Sequence, residues 1–159
     1  FGNVPKLIAE MDALKEDFQI IAVCGNNKKN FDEISSTSYR HSVYCYGFTD
    51  KVSLMMDASD FIVTKPGGLS VSESLAKKLP MILVSPIPGQ ETRNREFLLN
   101  AGLAVSDTYS VSEAVYSLYK SRFRFEGEKT AYDVFGRPDS ARDTALLAIK
   151  LADRKEVTV

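Results

Sequence analysis

Short apolar runs alternate with helical segments along the whole chain. That alternation constrains the fold more than any single residue does. Residues 18–24 (FQIIAVC), 42–46, 61–64, 81–84 and 103–105 are β-rich and apolar, with turn residues at their ends, and read as buried strands. Between them, residues 4–15 place Val4, Leu7, Ile8, Met11 and Leu14 at helical spacing, with Pro5 in the first turn. Further helices are expected over 28–36, over 51–58 with Thr49 or Asp50 as cap, and over 69–78. Three more are expected: 90–100 closed by Gly102, 110–119 capped by Ser110, and 139–152 following Pro138. Residues 122–137, with two glycines, read as irregular. Strand and helix in strict turn predict an α/β fold, a Rossmann-like parallel sheet with helices on both faces. Residues 1–159 are expected to form one domain. Such sheets bind ligands beyond the carboxyl ends of their strands, so Gly25, 47–49, 65–70 and 86–91 are the segments to examine.

The segment 64–73, Thr-Lys-Pro-Gly-Gly-Leu-Ser-Val-Ser-Glu, is the most informative of these. It runs from a strand through two glycines into a helix. Glycines let the backbone approach a phosphate, and the first helix amides lack partners in the helix and share its positive dipole end. Gly67, Gly68, Leu69 and Ser70 therefore supply phosphate-facing amides, with Ser70 or Ser72 available to cap. Glu73 lies one turn in. A carboxylate there repels phosphate but accepts hydrogen bonds from two sugar hydroxyls. The same residues also suit an ordinary strand-to-helix turn. Phe48 and Thr49, after the second strand, offer an apolar wall and backbone groups to a base. Gln90 and Glu91 follow a stiff Pro-Ile-Pro-Gly loop, and rigidly held polar side chains suit a ligand rich in hydroxyls. As first-turn helix residues they are equally compatible with simple solvation. Phosphate, base and sugar sites together describe a nucleotide sugar.

Composition narrows the classes. Of the 159 residues 44% are hydrophobic and 26% charged, the mix of a globular protein. The net charge of −1 gives no sign of a nucleic-acid partner. No apolar run approaches the roughly 20 residues that span a bilayer, and no signal peptide is legible. Cytoplasm is the expected compartment. Cys24 and Cys45 read as buried reduced thiols, and two cysteines with one histidine make a metal site or disulfide improbable. His41, the sole histidine, sits in a polar stretch and reads as a surface residue, and no serine, histidine and carboxylate grouping is legible. No catalytic residue is assigned within the chain. The run Tyr119-Lys120-Ser121-Arg122-Phe123-Arg124-Phe125 interleaves cations with aromatics, a pattern that suits a helix end, a headgroup region or a partner domain.

With these residues in view, the sequences TKPGGLSVSE and LPMILVSPIPGQETRNREFLLNAG resemble the C-terminal, donor-binding domain of glycosyltransferase family 28. The look is nearest to bacterial diacylglycerol glucosyltransferases and monogalactosyldiacylglycerol synthases. FGNVPKL resembles the end of that family's glycine-rich loop and its first helix. VCGNN and YGFTD resemble its next strand ends, and RPDSARD the approach to its closing helix. The resemblance implies the C-terminal half of a GT-B enzyme whose N-terminal acceptor domain, first strand, acceptor groove and candidate general base fall outside these 159 residues.

Position by position, the resemblance gives the donor diphosphate to Gly67, Gly68, Leu69 and Ser70, with Gly2 and Asn3 facing it from the loop after the first strand. It gives the ribose to Glu73, the uracil to Phe48 and Thr49, and the hexose to Gln90 and Glu91 with Asn94 close by. It implies inverting transfer of glucose or galactose from UDP-glucose or UDP-galactose to diacylglycerol. No cofactor and no tightly bound metal are implied, and no Asp-x-Asp motif is present. The intact protein is expected to be peripheral to the cytoplasmic face of the membrane, with self-association through an exposed sheet edge a further expectation. A stand-alone donor-binding subunit of a two-subunit enzyme, a UDP-sugar 2-epimerase-like domain and a nucleotide-sensing module remain open beside this reading.

Overall fold

The structure, a computed structural model, describes residues 3–85, 88–107, 110–125 and 129–155, without the side chains of 90, 122–125, 129–130 and 153–155. The elements run α1 (Val4–Asp12), β1 (Gln19–Val23), α2 (Lys28–Ser36), β2 (Ser42–Tyr46), α3 (Val52–Asp57), β3 (Ile62–Thr64) and α4 (Gly68–Ala76). They continue with β4 (Met81–Leu83), α5 (Gln90–Asn100), β5 (Ala104–Ser106), α6 (Val111–Phe125), α7 (Lys129–Phe135) and α8 (Ser140–Lys155). Every strand pairing is parallel, as the alternation predicts. Among the described residues the strands form two sheets rather than one: β1 with β2, Gln19 opposite Ser42, and β3-β4-β5, Ile62 opposite Met81 and Met81 opposite Ala104.

Two buried clusters hold the layers together, and β4 belongs to both. Successive side chains of a strand point to opposite faces. Ile82 and Val84, the latter just past the strand, join Ile8 and Met11 of α1, Ile20 and Ala22 of β1, Ile34 of α2, and Val111, Val115 and Leu118 of α6. Met81 and Leu83 join Val71 and Leu75 of α4, Leu98 of α5, Leu103, and Tyr132 of α7. Residues 81–84 all have 0% exposure. Burying each such side chain is worth about 1.5–3 kcal/mol. The unbroken apolar run Met-Ile-Leu-Val is thus explained by two covered faces.

Beyond the division into two sheets, the structure differs from the sequence reading at several places. The described residues between 122 and 137 are largely helical: α6 runs on to Phe125, and Lys129–Phe135 form α7. Its anchors are tertiary. The Tyr132 hydroxyl donates to the Leu103 carbonyl at 3.2 Å, Phe135 meets Phe97 edge to face at 4.9 Å, and Asp133 pairs with Lys78. Burial pushes the Tyr132 phenol up to about 12.

His41 is buried, not at the surface. Its ring stacks on Phe18 with centroids 4.1 Å apart. Nδ1 lies 3.0 Å from Asp12 Oδ1, and Nε2 lies 2.8 Å from the Glu16 carbonyl. Burial alone pushes the Asp12 carboxyl up, but hydrogen bonds from the Arg40 and His41 amides and from the imidazole outweigh it and hold it below the ordinary value. The result is a clasp joining the end of α1 to the start of β2.

Helix caps differ as well. α3 is headed by Lys51 with no side-chain cap, and the Thr49 hydroxyl instead accepts from the Lys51 amide. Neither Ser70 nor Ser72 caps α4, because the helix already begins at Gly68 and its cap position is Gly67. Cys24 and Cys45 are free, as expected, though half-buried rather than fully so, with Sγ atoms 3.8 Å apart. Burial raises the Cys24 thiol to about 11, which keeps it protonated.

Candidate functional site

The candidate site is built on the start of α4. Gly67 is extended (φ −75°, ψ 144°), and no side chain caps the helix. The first backbone bond is that of the Val71 amide to the Gly67 carbonyl, at 3.0 Å. The amides of Gly68, Leu69 and Ser70 precede it and have no helical partner. The helix behind them is firmly seated. Val71, Ser74 and Leu75 are buried, and the Ser74 hydroxyl donates back to the Ser70 carbonyl at 2.7 Å. A helix N-terminus of this kind is an uncancelled positive end aimed at solvent.

The loop into α4 is braced from α5. The Asn94 amide Nδ2 donates to the carbonyl of buried Pro66 at 2.9 Å. Glu91 sits beside the loop, with Oε1 3.8 Å from where a Cβ on Gly67 would lie. Thus α5 puts its first turns against the glycines, and part of the Asn94 side chain is engaged in holding the loop. The strut was not anticipated from sequence. An asparagine three positions after Glu91 shares its helix face, but nothing in the sequence names a carbonyl 28 residues away as its partner.

On the way to α5, Ser85 is held at φ 45°, an uncommon conformation for a residue with a side chain, and Gly89 has φ 101° with ψ −113°, a conformation that favours glycine. Strain at the carboxyl end of a strand is common where ligands bind.

The sequence-nominated residues fall into two groups. Gly67, Gly68, Leu69, Ser70, Glu91 and Asn94 come together at the carboxyl end of β3, and Glu73 is one turn along α4, exposed, its carboxylate engaging no partner among the described residues. Gln90 opens α5, but its side chain lies outside the described residues. Phe48 and Thr49 sit at the end of the other sheet, after β2, where Gly47 approaches the Gly25 carbonyl. Asn3 caps α1, its Oδ1 accepting from the Lys6 amide at 3.2 Å, and Gly2 lies outside the described residues. Two large apolar side chains in these segments stand in solvent, Phe48 at 80% exposure and Leu69 at 84%. No packing accounts for either, and such exposure suits a ligand face. Among the described residues no group of His, Cys, Asp and Glu is arranged to hold a metal ion. No helix there is long and apolar enough to cross a membrane.

Residues 3–120 match the glycosyltransferase family 28 C-terminal domain. The chain belongs to this family.

Curated relatives that resemble the chain include processive diacylglycerol beta-glucosyltransferases. That of Bacillus licheniformis is 33% identical over 103 residues, 63% of this chain and 27% of the relative. That of Staphylococcus carnosus is 34% identical over 104 residues, 64% and 27%. One from Bacillus cereus is 28% identical over 147 residues, covering 88% of this chain and 37% of the relative. The chain therefore spans roughly a third of the length of these relatives or less. Among solved structures, Acinetobacter baumannii MurG superposes with a TM-score of 0.73 at 16% identity, over 93% of this chain and 46% of that one. The glycotransferase of kitacinnamycin gives 0.62 at 17%, over 91% and 38%. These likenesses show that the chain shares the GT-B type of fold, and the family match places it as the C-terminal domain of family 28.

Proposed function

We propose that residues 1–159 are the UDP-sugar donor-binding domain of an inverting hexosyltransferase, one that moves glucose or galactose from UDP-hexose to diacylglycerol. The observation that carries the reading is the uncapped N-terminus of α4, seated on a buried core and flanked by Glu91 and Asn94. The amides of Gly68, Leu69 and Ser70, with the turn at Gly67, receive the diphosphate, and Gly2 and Asn3 face it from the start of α1. Glu73 accepts the two ribose hydroxyls. Phe48 and Thr49 flank the uracil. Gln90 and Glu91 read the hexose, and Asn94 holds the loop between them and the phosphate.

In the transfer, the acceptor hydroxyl attacks the anomeric carbon from the face opposite UDP, and a base outside this domain takes its proton. Negative charge grows on the departing diphosphate. The α4 amides, fixed in place before the reaction, stabilise it. This electrostatic role needs no tightly bound metal. The lipid acceptor reaches the sugar through the rest of the enzyme, working as a peripheral protein at the cytoplasmic membrane face. Support for the acceptor class comes from the names of the curated relatives.

The test is calorimetric titration with UDP, UDP-glucose, UDP-galactose and UDP-N-acetylglucosamine. Binding of UDP with preference for one hexose is expected. Glu73→Ala is expected to keep the fold and lose roughly tenfold or more in UDP affinity, the worth of hydrogen bonds to a charged group. Unchanged affinity would remove the ribose assignment. Binding of UDP with no sugar preference would instead favour a nucleotide-sensing module.

A further inference from the structure

Cys24 and Cys45 are 21 positions apart in sequence and side by side in the fold, with Sγ atoms 3.8 Å apart. Both thiols are free and half-buried. The sheet places them. Ala22 stands opposite Cys45 in the β1–β2 register, and the Cys24 amide donates to the Tyr46 carbonyl at 2.8 Å. Alternate residues of a strand share a face, so Cys24 stands with Ala22, and Cys45 beside them. That face carries the cluster that includes Ile34 of α2, and both cysteines pack against it.

The two thiols are not equivalent. Burial, reinforced by the neighbouring Cys45 sulfur, pushes the Cys24 thiol up to about 11, so it is a poor nucleophile near neutral pH. Cys45 borders a cavity of about 380 Å³ between the end of α2 and β2, with Ile34, Thr37, Tyr39 and Val43 in its lining. Small solutes reach the pair from this side. The Cys45 Sγ also lies 4.0 Å from the Phe31 carbonyl, too far for a strong hydrogen bond, so that contact does little to hold the sulfur in place.

We propose that Cys24 and Cys45 form a reversible thiol–disulfide pair, oxidised by low-molecular-weight disulfides that enter through the Cys45 cavity, and that the bond ties the ends of β1 and β2 together. The Cys45 sulfur, as thiolate, attacks one sulfur of the incoming disulfide, and the other leaves as a small thiolate that takes up a proton. The Cys24 sulfur then gives up its proton and attacks Cys45 Sγ, and the second small thiol departs. Two electrons and two protons pass from the cysteines to the incoming disulfide, which ends as two thiols. Closing the bond brings the sulfurs from 3.8 Å to about 2.0 Å. The turn after Cys24 has room to follow, since nothing lies within 4 Å of where a Cβ on Gly25 would be. A cross-link between residues 21 positions apart removes loop entropy from the unfolded chain. By linkage, the fold favours the disulfide by the same factor by which the disulfide favours the fold. The effect falls on the half of the molecule where Ile21 and Val23 still meet solvent, so a covalent tie adds most where packing adds least.

The test equilibrates the folded chain with mixtures of reduced and oxidised glutathione, traps free thiols with an alkylating agent and weighs the intact protein. The expected product is two hydrogens lighter than the reduced chain, retains no glutathione and is restored by dithiothreitol. Compared with the chain in urea, half-oxidation is expected at a glutathione mixture ~100-fold more reducing, and the oxidised chain is expected to melt ~5 °C or more above the reduced one. Cys24→Ser is expected to stop at the mixed disulfide on Cys45, and Cys45→Ser to react at least ~10-fold more slowly than Cys24→Ser. Glutathione retained by the parent chain, a disulfide-linked dimer, an oxidised chain that melts no higher, or equal rates in the two variants would each overturn the proposal. The parent chain alone decides the first three, so the outcome does not depend on either variant folding. No nucleotide enters the measurement, so its result is independent of the donor-site reading.

Discussion

β4 is covered on both faces along its whole length, by α1 and α6 on one side and by α4 and α5 on the other. β1 is covered on one face only. Ile20 and Ala22 are buried, while Ile21 and Val23 remain 38% and 39% exposed, and Tyr44 and Tyr46 of β2 are as open. The sequences of the two strands, MIL and QIIAV, are similarly apolar. The difference teaches that apolar content reports the burial a strand is suited to, and the layers around it decide the burial it gets. It also divides the candidate site. The proposed phosphate cradle at Gly67 and Gly68 rides on the fully packed half, and the Phe48 loop rides on the half with an open face.

The largest expected effect tests this contrast directly. Leu83→Ala should cost about 2–5 kcal/mol, as a buried leucine leaves a cavity. Ile21→Ala should cost less than about 1 kcal/mol, because its side chain already meets solvent. Both are read from urea unfolding, and equal losses would abolish the distinction between the halves.

Next comes the clasp on the β1–β2 half. Asp12→Asn should cost about 1.5–3 kcal/mol near neutral pH, the worth of hydrogen bonds to a charged group. The sign of the pH dependence follows from the direction of the shift. Asp12 is held below its ordinary 3.8 in the fold. Its contribution is therefore present above the unfolded value and is lost as pH falls through the lower folded one. Acid unfolding of the variant should lack that part of the slope. An unaltered acid limb would show that the clasp does not stabilise this half.

Gly136→Ala probes the packed half from its far side. A Cβ there would meet the Leu75 and Tyr132 carbonyl oxygens at 2.7 Å, and backbone gives way little. About 1–3 kcal/mol should be lost. A variant as stable as the parent would mean that α7 is free to shift off α4.

The smallest effect on stability sharpens the division of the site. At Gly67 a Cβ meets only Glu91 Oε1, at an ordinary 3.8 Å, so Gly67→Ala should cost within about 1 kcal/mol. On the proposed donor site its UDP affinity should nevertheless fall, since the added methyl would stand between the backbone and the phosphate. Unchanged affinity would move the diphosphate away from this turn.

How legible the molecule was depends on the range of the interaction. Met81, Ile82 and Leu83 announce a doubly covered strand because no polar residue interrupts them. Two glycines between a strand and a helix announce an open helix start. Both signals lie within a few residues. α7 gave no such signal, because it is fixed by Tyr132 reaching Leu103 and by Lys78 reaching Asp133, 29 and 55 positions away. His41 looked like a surface residue because its neighbours are polar, and its partner Asp12 lies 29 positions upstream. Asn94 could be named as near the site, but its bond to the Pro66 carbonyl required the two loops to be brought together.

The sequence by itself determined the order of strands and helices as far as α6, their parallel pairing and the glycine turn at the start of α4. These follow from local periodicity, from backbone freedom at glycine and from the handedness of crossovers. Tertiary structure alone decided that the strands fall into two sheets over one core, that His41 goes inside, and that α5 braces the loop before α4. Those outcomes depend on which distant groups meet once apolar surface is buried, and a linear pattern does not encode that meeting at any one position.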